Sequence, residues 1–163
     1  MTLRTSLTRS SRLLTLSTAT ILYTAIAAHA EPPTPPCALL SPLQIKAVLN
    51  TPVLDGKPGA PSDGATDCTW PDTKGETRIY LSLKDPGFEY KSFRDSMLAT
   101  GRLIPISGLS GDAFYISSAG NSAALYALKG KHLLLITVNG IGFTKAQNES
   151  AEHTLATAIL PKL

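Results

Sequence analysis

Histidine is nearly absent from this sequence, with three in 163 residues. His29 falls in an N-terminal segment that reads as removable. That leaves His132 and His153 as the imidazoles available for acid–base work or metal ligation. Cysteine is held to two, Cys37 and Cys68, with no Cys-x-x-Cys spacing of the kind a redox pair prefers. No segment after residue 30 approaches the roughly 20 apolar residues that a membrane-spanning helix requires. No G-x-G-x-x-G and no P-loop lysine appear, which removes the common phosphate-cradling signatures. A net charge is also missing once the front of the chain is set aside. Three of the 15 basic residues and none of the 12 acidic ones lie in the first 30 positions, so 12 of each remain. A neutral remainder offers no electrostatic footprint for nucleic acid or an anionic membrane.

What is present begins with an export signal. Arg4, Arg9 and Arg12 form a positive start, Leu13 to Ala27 is uncharged and mostly apolar or small, and Ala28-His29-Ala30 supplies a small-x-small cleavage pattern before Glu31. Arg9 and Arg12 are not adjacent, which argues against a twin-arginine signal. Cys37 follows Pro35-Pro36, well past the apolar stretch, so it is not placed as a lipid-attachment cysteine. Two cysteines in an exported chain most often pair, with a catalytic or redox thiol as the rival reading. The expected organisation is a signal peptide over 1–30, a proline-rich tether over 31–36 and a single domain over 37–163.

Within the domain, Ser41 caps a helix to Leu49, with Pro42 at its first position and Gln44 completing a capping box. Leu43, Ala47 and Val48 lie along its apolar face, widened by Ile45 and Leu49. Residues 55–64, DGKPGAPSDG, read as a surface loop. Strands follow over 66–70 and 76–84, the second alternating Thr77, Ile79, Leu81 and Leu83 against Arg78, Tyr80, Ser82 and Lys84. An amphipathic helix over 88–100 carries Tyr90, Phe93, Met97 and Leu98 on one face. A loop and a strand near Ala113–Ser117 come next. A hairpin over 123–139 then turns at Gly130-Lys131, and its apolar second arm, Leu133 to Val138, reads as central and covered on both faces. A last helix spans about 145–160, with Ala151, Leu155, Ala158 and Ile159 along one side. This order predicts an α+β domain of two layers, an antiparallel sheet with about three helices packed on one face. A faint internal echo sets CTW and TRIYLSL beside AFY and AALYAL.

The segments CALLSPLQIKAVLNTPV, DCTW, GLSGDAFY and LYALKGKHLLLITV together resemble a class of small exported bacterial proteins and lipoproteins of unknown function. That class shares a Cys-x-Leu-Leu-Ser/Thr start, a second Cys before an aromatic, and Gly-Leu-x-x-x-Ala-Phe/Tyr. The resemblance covers residues 37 to 160 and implies a disulfide between Cys37 and Cys68 and a periplasmic or surface setting. It implies no activity, cofactor or catalytic residue, and this chain departs from the lipoprotein members in lacking the lipid-attachment cysteine.

The candidate sites each have a structural counterpart. Ser110 lies in GLSGD, whose glycines are spaced for a turn and not for a nucleophile elbow. Asp112 with Ser110 and either histidine can be drawn as a triad, but no spacing supports it. Glu149 and His153 stand one helical turn apart, a surface pair before a metal site. NGIGF, residues 139–143, reads as a connection to the last helix and not as a phosphate loop. Trp70 is expected to pack over the disulfide, with ligand stacking as the alternative. Trp70, Tyr80 and Tyr126 are the residues assigned to a partner-binding surface on the sheet. The sequence therefore predicts a non-enzymatic binding or accessory domain of the periplasm or envelope, needing no metal or cofactor, for an envelope protein or a small ligand. An inhibitor or immunity-type protein acting on an exported hydrolase through residues 55–64 is the alternative, and a small hydrolase using Ser110 the second.

Overall fold

The structure is a computed structural model that describes residues 35–60, 63–87, 89–109, 111–117 and 122–163. The expected signal peptide, most of the tether and Ser110 lie outside the described residues. Those described fall in one unit, Pro33–Leu163.

Local sequence signals account for most helix ends. Helix α1 (Pro36–Leu39) is a single turn that opens on a proline. It takes Pro36 out of the extended tether expected over 31–36. Helix α2 (Pro42–Leu49) has the full capping box at Ser41 and Gln44, and ends where Asn50 enters the left-handed region at φ 52°. Helix α3 (Tyr90–Ala99) ends ahead of Gly101. Helix α4 (Lys145–Ile159) has a second capping box, in which Thr144 accepts from the Gln147 N–H and Gln147 accepts from the Thr144 N–H. A 3₁₀ turn, Leu160–Lys162, follows it.

The seven strands are β1 (Lys57–Pro58), β2 (Thr66–Pro71), β3 (Thr77–Lys84), β4 (Leu103–Pro105), β5 (Asp112–Ser117), β6 (Ala123–Lys129) and β7 (His132–Gly140). They form one sheet in the order β1-β2-β3-β7-β6-β5-β4, with every neighbouring pair antiparallel. The fold is α+β, with helices packed against the sheet. Two short elements were not legible beforehand: β1 falls inside the expected loop 55–64, and β4 inside a stretch read as loop. Asp72 organises the β2–β3 turn. Its carboxylate accepts from the N–H groups of Lys74, Glu76 and Thr77. Burial works against that charge, but the backbone donors win and hold its pKa below the usual carboxylate value. The β6–β7 turn is the two-residue loop expected, since Lys129 pairs with His132. Gly130 has φ 58° and Lys131 stays out of the left-handed region, as a type II′ turn requires.

The pleat sorts side chains onto two faces. One face carries Cys68, Trp70, Ile79, Leu81, Leu125, Ile136 and Val138, and joins Leu39, Ile45, Leu155 and Ile159 in the main core. Helices α1, α2 and α4 lie on this face. The opposite face carries Phe114 and Ile116, which with Leu103 form a second cluster against Tyr90, Phe93 and Met97 of α3. Two helical faces differ in detail from expectation. In α2 Ile45 is fully buried while Leu43 is 78% exposed, and in α3 Leu98 points to solvent. β7 is central, but only one of its faces is covered throughout: Leu134, Ile136 and Val138 are fully buried, whereas Leu135 and Thr137 are half-exposed.

The order helix–strand–strand–strand occurs twice, as α2-β1-β2-β3 and α3-β4-β5-β6, on either side of β7. β3 and β6 are each antiparallel to β7 and so parallel to one another. A half-turn about the β7 axis exchanges the two sets and also exchanges the faces. This is why α2 and α3 lie on opposite sides of the sheet.

Candidate functional site

Cys37 and Cys68 are bonded, with Cα atoms 5.2 Å apart. The bond ties α1 to the second strand and fits an oxidising compartment. Cys68 and Trp70 stand two residues apart on β2, so both point into the main core, and each is fully buried. Gly56 lies over them. A Cβ there would come within 2.6 Å of both the Cys68 sulfur and the Trp70 indole nitrogen, so the backbone passes where no side chain fits. Burial removes Trp70 from the partner-binding surface proposed for it, because odd and even positions of β2 face opposite sides. The loop 55–64 is likewise not a free surface loop at residues 56–58: it is pinned by this contact and by β1.

Of the triad drawn from Ser110, Asp112 and a histidine, Ser110 lies outside the described residues, and Asp112 is paired with Tyr90 and Arg94 and not with either histidine. Asp112 faces α3, where Tyr90 Oη donates to it at 3.1 Å and Arg94 pairs with it at 2.7 Å. His153 is on α4, on the other face, with Nε2 beside Gly108. His132 sits beside the hairpin turn. Glu149 pairs with Lys145, not with His153. Burial, followed by the Asp112 charge, pushes the Tyr90 phenol up to about 12, so it remains a proton donor to that carboxylate. Among the described residues no three His, Cys, Asp or Glu side chains gather as a metal site, and no helix is long and apolar enough to cross a membrane.

Tyr80 and Tyr126 do share the open face. Their strands are bridged by β7, with Tyr80 opposite Thr137 and Tyr126 opposite Leu135. Burial, then Asp67, raises the Tyr80 pKa. Tyr126 is stacked on Phe114 with centroids 5.4 Å apart and planes 7° from parallel, and Phe93 meets it at 5.6 Å. Burial raises the Tyr126 pKa as well.

Beside this stack α3 stops short, and a trough of about 520 Å³ opens over β3 and β7. Its floor is Ser82, Leu133 and Leu135, its aromatic wall is Tyr90, Phe93 and Tyr126, and its rim carries Asp63, Lys84, Asp85 and Glu89. Cavities of this size that are largely apolar, with a few polar groups, take small ligands. The alternation of β3 made Ser82 legible as a polar-face residue. Leu133 and Leu135 were concealed inside a run read as doubly covered.

Sequence reading also passed over Glu152. Its side chain is fully buried under α4, and Oε1 accepts the Val138 N–H at 2.8 Å. Pairing of β6 with β7 ends at Leu125–Ile136, so beyond it this carboxyl takes the place of a strand. Burial, only partly offset by that bond, pushes its pKa up to about 8, so the group is protonated through the neutral range. Its position between Ala151 and Leu155 on the apolar stripe was the available signal.

No family model and no curated protein match the chain. Among solved structures it is similar to a GTP-binding regulator from Thermotoga maritima, at 18% identity and a TM-score of 0.36, over 78% of this chain and 92% of the other. A likeness this slight says nothing of function.

Proposed function

We propose that the chain is an exported, non-enzymatic binding domain of the bacterial periplasm or envelope, and that its ligand is a small molecule held in the trough between α3 and the open half of the sheet. The single observation behind this reading is the trough itself. Apolar and aromatic side chains line a cavity of ligand size. The Cys37–Cys68 bond and the N-terminal sequence pattern support the exported setting. The resemblance to small exported bacterial proteins supports it further.

The test is capture of small molecules from envelope extract by the purified, disulfide-bonded protein, read by mass spectrometry after denaturing the washed complex. Ala65→Trp, which hangs an indole over the rim, is the control. A compound retained by the wild type and lost from A65W supports the reading. Retention that is equal in the two proteins, or no retained compound, overturns it.

A further inference from the structure

We infer that the trough selects small organic cations, an ammonium carried on an apolar or aromatic body, over neutral and anionic molecules of the same shape. The inference rests on the reading of the trough as a small-molecule site and adds the charge of its occupant. Three carboxylates, Asp63, Asp85 and Glu89, stand on the rim against one ammonium, Lys84. None of the four is in an ion pair among the described residues, where the pairs are Lys91–Asp95, Arg94–Asp112 and Lys145–Glu149. The rim groups therefore carry a formal excess of two negative charges that no ion pair among the described residues offsets.

Of the arginines near the trough, Arg102 partly offsets the burial that raises the pKa of the Tyr126 wall, and Arg94 is held by Asp112. Arg94 also lies 5.9 Å over the Phe114 ring, so it does not compensate the rim. Asp85 is held in place by the Gly87 N–H at 3.0 Å, which fixes one carboxylate at the edge. Below the rim the wall is made of rings. Tyr126 is supported from behind by Phe114, and Phe93 closes the adjoining side. Ring faces are negative and attract cations, and low-dielectric walls focus the field of the rim charges. The floor of Leu133 and Leu135 takes the apolar body, and the buried Ser82 lies beside them on β3. An anion of the same size would meet the rim charge and the ring faces with the wrong sign.

Three probes with one ring and different charge test this: benzyltrimethylammonium, benzyl alcohol and benzoate, each titrated into the disulfide-bonded protein and followed by NMR at the Leu133 and Leu135 methyls and the Tyr126 ring. The cation should bind about ten-fold more tightly than benzyl alcohol and more tightly still than benzoate. The preference should shrink with added salt. Asp85→Asn with Glu89→Gln, both exposed and outside the core, should cut the preference to about two-fold. Equal binding of all three probes overturns the cation inference and leaves the small-molecule site standing. So does a preference that the double variant does not reduce. If no probe moves the trough signals, the inference fails, and the extract experiment with A65W separately decides whether the site binds anything.

Discussion

The two helix–strand–strand–strand sets face the same sheet from opposite sides and end in different states. In the first, residues 42–84, the anchor is Trp70, fully buried beneath α1 and α2 with the disulfide beside it. In the second, residues 90–129, the anchor is Phe114, fully buried beneath α3 on the other face. Helix α4 then lies over β6 and β7 on the main-core face, so the strands of the second set are covered on both sides. Among the described residues nothing comparable covers the first set on the α3 side, and there Tyr80, Leu135 and Thr137 remain half-exposed. The repeat thus makes the fold, and α4, the long helix outside both sets, makes the asymmetry. The trough lies on the side where that helix is missing.

The comparison can be broken first at its anchors. Trp70→Ala and Phe114→Ala should each destabilise by about 3–5 kcal/mol in urea unfolding, because each empties a site that cannot collapse around the loss. A Phe114→Ala effect below about 1 kcal/mol would mean that α3 is loosely attached and that the trough lacks a rigid wall.

Next comes the covalent link that only the first set has. Reduction, or replacement of both Cys37 and Cys68 by Ser, should cost about 3–4 kcal/mol, since the bond closes a loop with a sequence separation of 31. Amide exchange should then quicken in β1 and β2 before β5. A uniform change across both sets would count against the idea that the bond braces one of them.

A somewhat smaller and pH-dependent effect belongs to the side covered by α4. The folded-state pKa of Glu152, about 8, stands above the ordinary carboxylate value of 4.5, so between those values the native state holds a proton that the unfolded chain has released. Stability from this group is complete below pH 4.5 and declines as pH rises toward 8. Glu152→Gln keeps an acceptor for the Val138 N–H and removes the titration. It should match the wild type near pH 4 and exceed it by a few kcal/mol at pH 8. Parallel stability curves for the two proteins would refute the assignment.

The smallest effect sharpens the contrast within a single strand. Leu134 and Leu135 are adjacent on β7 and point to opposite faces. Leu134→Ala should cost about 2–5 kcal/mol, and Leu135→Ala, whose side chain lines a cavity, about 1 kcal/mol or less. Similar losses at both positions would show that the trough is closed in solution.

Much of this arrangement was written in local patterns. The Ser41–Gln44 box, the alternation of Thr77 to Lys84, the Gly130-Lys131 turn and the apolar stripe of α4 each depend on neighbours within a few residues, and each appears close to where it was expected. What escaped depends on distant residues. The side on which α3 lands is set by the relation of the two repeated sets, and a helix pattern alone does not encode it. Trp70 and Tyr80 look equally able to face a ligand until the β2–β3 register puts one under α1 and the other in the open. Leu133 is buried as expected, but Leu135 read as core because an apolar run does not reveal that a helix stops short of it. Of the three residues assigned to the surface, Tyr80 and Tyr126 lie on the open face. The trough beside them needed α3 in place before it could be seen.

The position of β7 bears on how the molecule is made. The strand that both sets require is the last of the seven to leave a chain that emerges from its N-terminus, since Thr77 must wait for Gly140. Until then β3 and β6 each present an unsatisfied hydrogen-bonding border, and the two ribbons have no common seam. The nascent polypeptide therefore passes through a stage in which its most adhesive borders are bare, and shielding by a holdase during passage would matter most in the interval before His132–Gly140 arrives.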